Sequence, residues 1–165
     1  MGDNREMMDA ALFEMKFYQV DDAGQLYISP AVSKWSSVSA LGIDTVIDME
    51  GGLDEWIPTT PNECLYLYFP IYDENLPSLT RLHAVGNFGA QLIAGGHRIL
   101  CHCGLGFNRS ALVAGVILYK LGMTGSQAVE RIRKRRPGAL FNEVFADYLA
   151  SLRSELSDAG VRRVP

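Results

Sequence analysis

Thiols are scarce in this 165-residue chain: Cys64, Cys101 and Cys103 are the only three. An odd count, in a sequence whose opening MGDNREMMDAALFEM lacks the basic start and unbroken apolar run of a secretory leader, argues against a disulfide framework and leaves at least one thiol free. The three histidines, His83, His97 and His102, form no HExxH pattern, and Cys101-His102-Cys103 is too tight for the usual zinc spacing. No metal and no cofactor are therefore expected. Long apolar runs are absent too, none approaching the roughly 18 residues of a spanning helix, so no membrane association is expected. Basic residues are not in excess: the formal charge of −4 offers no bulk attraction for nucleic acid. Internal repeats and low-complexity tracts are also missing. These absences imply a soluble, cytoplasmic protein, taken as a monomer.

What is present is a hydrophobic fraction of 48%, enough at this length for one domain with a substantial core. The reading is a single domain over 1–165, its core at about 26–152 and a short tail at about 159–165. The stretch 17–29 reads as a hairpin around Asp21-Asp22-Ala23-Gly24. A helix is expected over 31–41, closed by Gly42. Segments 43–49 and 64–71 are strand-like, rich in β-branched and aromatic residues. A helical stripe covers 78–94, weakened by Gly86 and Gly89. Residues 98–102 form a short buried strand, followed by a helix from near Arg109 to Leu121. Thr124 and Gln127 have capping-box spacing for a helix that Pro137-Gly138 stops, and Asn142 caps a last helix over 142–156. This alternation predicts an α/β fold: a mainly parallel central sheet of about five strands, flanked by helices.

Chemistry concentrates at one turn. Cys103 and Arg109 are separated by Gly104, Leu105, Gly106, Phe107 and Asn108, directly after a strand and before a helix. A loop so placed can point successive N–H groups inward and form an anion nest reinforced by the helix dipole. The glycines permit close backbone approach, and the Arg109 fork matches two oxygens of a phosphoryl group as a lysine cannot. The same field can lower a thiol from its usual 8.5 to roughly 3.5–7.5, which makes Cys103 a nucleophile beneath a bound phosphorus. Ser110 is placed to donate to that sulfur when it leaves. An alkoxide leaving group also needs an acid from another loop. Asp73 follows the strand-like segment 64–71 and precedes Cys103 by 30 positions; Glu74 and Asp54 are the alternatives.

HCGLGFNRS thus reads His-Cys-x-x-Gly-x-x-Arg-Ser, which resembles the signature of cysteine-based protein tyrosine phosphatases. "QLYISPAVSKW", "LGIDTVIDM" and "RPGALFNEVFADYL" extend the resemblance to the dual-specificity phosphatase domain, over about 26–152. The resemblance places the general acid about thirty residues upstream of the cysteine, on a mobile loop. It also implies that Asn142 helps hold the phosphate loop, that His102 orients the surroundings of Cys103, and that the partner is a phosphorylated protein. The implied activity is hydrolysis of phosphotyrosine, with phosphoserine and phosphothreonine, through a cysteinyl-phosphate.

Other readings stand beside it. The loop is also similar to that of RNA 5′-triphosphatases, but flanking basic residues are missing, and the lysines of phosphoinositide phosphatase loops are absent from GLGFN. A phosphate-reading module without turnover and a rhodanese-like sulfurtransferase are the remaining alternatives. Cys64 and Cys101 read as small buried hydrophobes, with Cys101 the candidate redox partner of Cys103. Arg131, Arg133, Lys134, Arg135 and Arg136 read as a solvated helix face or a docking surface, and Trp35 and Trp56 as packing residues, Trp56 alternatively rimming the pocket.

Overall fold

The computed structural model describes residues 15–153; the expected tail at 159–165 and the end of the last helix's expected span lie outside them. Five strands, β1 (Tyr18–Gln19), β2 (Leu26–Ser29), β3 (Thr45–Asp48), β4 (Leu65–Tyr68) and β5 (Ile99–His102), form one sheet in the order β1-β2-β5-β3-β4. β1 pairs antiparallel with β2, and every other pairing is parallel. The expected hairpin is present. Asp21 fastens it, its carboxylate accepting from the N–H groups of Gln25 and Leu26 at 3.0 Å.

Along β2, β3 and β5 successive side chains divide between two apolar layers, as the period of a strand demands. Leu26, Ile28, Ile47, Ile99 and Cys101 face one layer, and Tyr27, Val46 and Leu100 the other. The three strands are buried along their whole length, which explains why they read as near-continuous apolar runs. The larger layer is covered by α2 (Leu79–Ala94), α3 (Arg109–Lys120), α4 (Gly125–Arg135) and α5 (Glu143–Ser151). The smaller one packs on α1 (Trp35–Ala40). None of the helices among the described residues is long and apolar enough to cross a membrane.

Gly86 and Gly89, which weaken the sequence signal for α2, have a packing reason. A Cβ on either would lie 2.5–2.6 Å from Val116 or Ile117 of α3, so the two helices meet where side chains are absent. The capping box at α4 is complete: Thr124 Oγ1 accepts from Gln127 N, and Gln127 Oε1 accepts from Thr124 N.

Two helices are shorter than their sequence patterns. The first begins at Trp35 rather than 31, because the preceding chain is tied down: Ala31 N donates to Gly104 O at 3.3 Å, which holds residues 30–31 against the loop after β5. The last ends at Ser151, because Leu152 turns its carbonyl to Gly125 N at 2.8 Å and takes an extended conformation. That contact leaves no room at Gly125, where a Cβ would sit 1.6 Å from Leu149 O. Gly125→Ala should therefore lower stability by about 1–3 kcal/mol or more, read as a fall in the urea unfolding midpoint, with the slope unchanged.

Candidate active site

β5 and α3 are joined by residues 103–108, so a central buried strand delivers Cys103 to the N-terminus of a buried helix. Cys103 is 2% exposed, and its Sγ lies 3.5 Å from Oγ of the fully buried Ser110. The carbonyls that follow are all engaged on the outside of the turn. Gly104 O accepts from Ala31 N, Phe107 O from Leu140 N at 2.9 Å, and Asn108 O from Leu112 N at 2.8 Å. Leu105 O and Gly106 O accept from the Arg136 guanidinium, both at 3.4 Å. In a trans peptide the C=O and the following N–H point in opposite directions. Five outward carbonyls thus turn the N–H groups of Leu105, Gly106, Phe107, Asn108 and Arg109 to the opposite side, and none of these finds a backbone acceptor among the described residues.

Gly106 is the position where the turn admits no side chain. Its φ of 70° is left-handed, and a Cβ would meet the Ser29–Pro30 backbone at 2.6–2.7 Å.

Arg109, at the end of the turn, has three of its five side-chain donors committed. Nη1 donates to the carbonyls of Met49 and Ile71, both at 3.4 Å, and Nη2 to Glu50 Oε2 at 2.9 Å. Nε is buried without a partner. A guanidinium held along one edge, with a desolvated N–H on the other, is a donor set waiting for an oxyanion. Glu50 was not among the sequence candidates. It lies two residues beyond the end of β3, and nothing local marks it as the partner of an arginine 59 positions away.

Asp73 is brought to the loop. Its Oδ2 accepts from Asn108 Nδ2 at 2.9 Å and its Oδ1 from Asn142 Nδ2 at 3.0 Å. Both amides have fixed orientations, since Asn108 Oδ1 accepts from Asn142 N and Asn142 Oδ1 from Phe145 N. Two oxygens of a carboxylate offer about four acceptor sites, so two remain for a proton or a water. Glu74 is exposed beside it, with only its backbone carbonyl engaged by Asn142.

Asp54, the third candidate acid, is placed elsewhere. Its Oδ2 lies 2.6 Å from His102 Nε2, with Asp48 Oδ1 at 3.5 Å from the same nitrogen. Burial pushes the Asp48 carboxyl up, opposed by donors from the Tyr66 hydroxyl and Glu50 N. Burial, with Asp48 beside it, also pushes the Tyr66 phenol up and keeps it a donor. These carboxylate oxygens and the imidazole nitrogen fall within 4.8 Å of one another, a grouping the sequence spacing did not show. Of these, His102 and Asp54 are joined by a hydrogen bond, and Asp48 lies beside them.

Cys101 is fully buried in the larger core, and burial pushes its thiol up; among the described residues all three cysteines are free. Trp35 packs at an angle on Tyr66 and donates to Glu55 O. Trp56 does not pack: it is 88% exposed. The basic cluster is not one solvated face. Arg131 and Arg135 pair with Asp22, and Arg133 donates to Leu140 O.

Residues 24–155 match the family described as dual specificity phosphatase, catalytic domain, and the chain belongs to that family. Solved structures share the fold. Human DUSP28 superposes with a TM-score of 0.68 at 20% identity, over 81% of this chain and 89% of that one. The Yvh1 phosphatase domain from Chaetomium thermophilum gives 0.65 at 18%, over 91% and 100%. Human tyrosine phosphatase-like serine/threonine/tyrosine-interacting protein gives 0.65 at 21%, over 81% and 92%. No curated protein sequence matches the chain.

The His102 contact makes a direct stability prediction. Asp54→Ala leaves a buried imidazole N–H without its nearest acceptor and should cost about 1–3 kcal/mol by urea unfolding, whereas Asp54→Asn, which keeps an acceptor oxygen, should cost less.

Proposed function

We propose that this protein hydrolyses phosphotyrosine, together with phosphoserine and phosphothreonine, in phosphorylated proteins through a cysteinyl-phosphate on Cys103. The observation that carries this reading is the donor set of one turn: between Cys103 and α3 the loop carbonyls are bonded outward, its N–H groups have no backbone acceptor among the described residues, and Arg109 Nε at the end of the turn is buried without a partner. Such donors act on the charge of the transferring phosphoryl oxygens.

In the first step the Cys103 sulfur attacks phosphorus in line, an S–P bond forms and the P–O bond to the substrate breaks. Asp73 gives its proton to the departing oxygen. In the second step the Asp73 carboxylate takes a proton from water, the water oxygen attacks phosphorus, and the S–P bond breaks to return the thiolate and inorganic phosphate. Ser110 Oγ, 3.5 Å from the sulfur, donates to the thiolate as it leaves. Asn108 and Asn142 hold Asp73 in place through both steps.

The charge at the mouth favours a monoester on a protein over the alternatives. Glu50 is ion-paired to Arg109, and Asp73 and Glu74 are both exposed. A polyphosphate or an inositol headgroup bearing several phosphates would meet these carboxylates, whereas a single phosphoryl group fills the nest alone. Leu105 and Phe141, 69% and 65% exposed, supply apolar surface on and beside the loop for the carbon skeleton of the substrate residue.

Two measurements test the reading. Cys103→Ser should abolish turnover of p-nitrophenyl phosphate while leaving orthovanadate binding measurable, because the nest and Arg109 remain; retained turnover would place the nucleophile elsewhere. Asp73→Asn should reduce kcat by roughly 10²–10⁴ for a phosphotyrosine peptide, a poor leaving group, and by much less for p-nitrophenyl phosphate. The alkaline limb of its pH–rate profile should flatten. Equal losses on both substrates, with both limbs intact, would remove Asp73 as the acid.

A further inference from the structure

Arg136 belongs to no step of the mechanism above, and by sequence it is the last residue of a basic run. Its surroundings are not those of a surface cation. The guanidinium carbon lies 3.8 Å from the centroid of the Phe107 ring and 4.2 Å from that of Tyr18. Nη1 donates to the Tyr18 hydroxyl at 2.7 Å. Nε and Nη2 donate to Gly106 O and Leu105 O. One planar group is thus clasped between two aromatic faces and aimed at two consecutive carbonyls of the turn that follows Cys103.

The chain after it continues the same task. Ala139 N donates to Arg136 O at 3.0 Å, which curls residues 136–139 into a turn. Leu140, held at a left-handed φ of 57°, donates its N–H to Phe107 O, and its own carbonyl is held by Arg133. Three successive carbonyls, of residues 105, 106 and 107, are therefore tied to residues 136–140 on the outside of the loop.

We propose that Arg136 is a positioning residue that holds the peptide groups of Leu105 and Gly106 with their carbonyls outward, and so sets the inward aim of the next two N–H groups for the phosphoryl oxygens. The inference rests on reading the loop as an oxyanion cradle. Its physical basis is twofold. A donor on each carbonyl stops the peptide plane from turning over, and a cationic donor polarises the peptide so that its N–H is a stronger donor on the far side. Lysine cannot replace it. A point charge can reach one carbonyl, but it has no planar face to lie between Phe107 and Tyr18 and no fork to span two oxygens.

The test compares Arg136→Lys, Arg136→Met and the control Arg131→Met. Arg131 lies on the same helix and pairs with Asp22, away from the loop's carbonyls. Three quantities are read: the inhibition constant of orthovanadate, the rate at which iodoacetamide alkylates Cys103 at pH 6, and the thermal midpoint. In both Arg136 variants vanadate should bind roughly 10–100-fold more weakly, the scale of a loss of alignment without loss of a donor, and alkylation should slow, while both keep a cooperative thermal transition. Arg131→Met should match the unsubstituted protein. Vanadate binding and alkylation within twofold of the unsubstituted protein in Arg136→Lys would overturn the proposal. So would an equal loss in Arg131→Met, which would make the effect one of net charge, or loss of folding in both Arg136 variants, which would make the residue structural. If the unsubstituted protein itself does not bind vanadate, the cradle reading fails first, and Arg136 loses its role with it.

Discussion

Everything at the site depends on keeping five successive carbonyls, from Gly104 to Asn108, pointing away from Cys103. Left alone, a short turn at the end of a strand would satisfy its own polar groups locally, some facing in and some out. Here the five carbonyls are captured by four parts of the chain: the segment after β2, the residue that ends α4, which takes two, the loop before α5 and the first turn of α3. The inward N–H groups are the remainder of that arrangement. The outward bonds fix the peptide planes, and the N–H side of the turn is left without backbone acceptors among the described residues.

A second chain of contacts links β5, which ends beside Cys103, to Arg109. His102, next to Cys103, is bound to Asp54 and lies beside Asp48; Asp48 accepts from Glu50 N at 2.7 Å; and the Glu50 side chain holds Arg109 Nη2. Burying two carboxylates and an imidazole carries a desolvation penalty of several kcal/mol, which the His102–Asp54 contact and the donors to Asp48 offset in part, while His102 Nδ1 stays buried without a partner. Tyr66 supplies the remaining donor to Asp48. The end of β3 therefore does more than close a strand: it fixes the edge of the guanidinium that faces away from the nest.

Much of this was legible because the deciding interactions were local. The strand–turn–helix around Cys103, the capping box at Thr124 and the Asn142 cap each follow from residues within a few positions of one another, and each is found. The parallel sheet followed from short apolar runs alternating with helical stripes. What was not legible depends on distant partners. Arg136 looks like its neighbours in RIRKRR, and only Tyr18, 118 positions away, and the loop carbonyls distinguish it. Glu50 and Asp54 sit in a loop of Gly, Pro and Trp with no periodicity to orient them. The late start of α1 likewise follows from a bond to Gly104, which no propensity scale contains. Trp56 was read as packing because large aromatics usually are buried, yet its backbone φ of 60° turns it outward.

Asp73 shows how the two halves of the site constrain each other. It contacts neither Cys103 nor Arg109 directly, yet its two amide donors are the residues that hold the loop and start α5. Asn108 is bonded at three points: its carbonyl begins the α3 ladder, its side-chain oxygen takes Asn142 N, and its amide takes Asp73, while its backbone N–H stays on the inner side of the turn. That explains why the N-cap position of α3 makes no side-chain cap of its own. The amides that hold the Asp73 carboxylate are themselves oriented by the N–H groups of Asn142 and Phe145, so the carboxylate, the loop and the first turn of α5 share one network. The position of the carboxyl group and the shape of the nest are thus one arrangement, and a shift in either is transmitted to the other through a single buried asparagine.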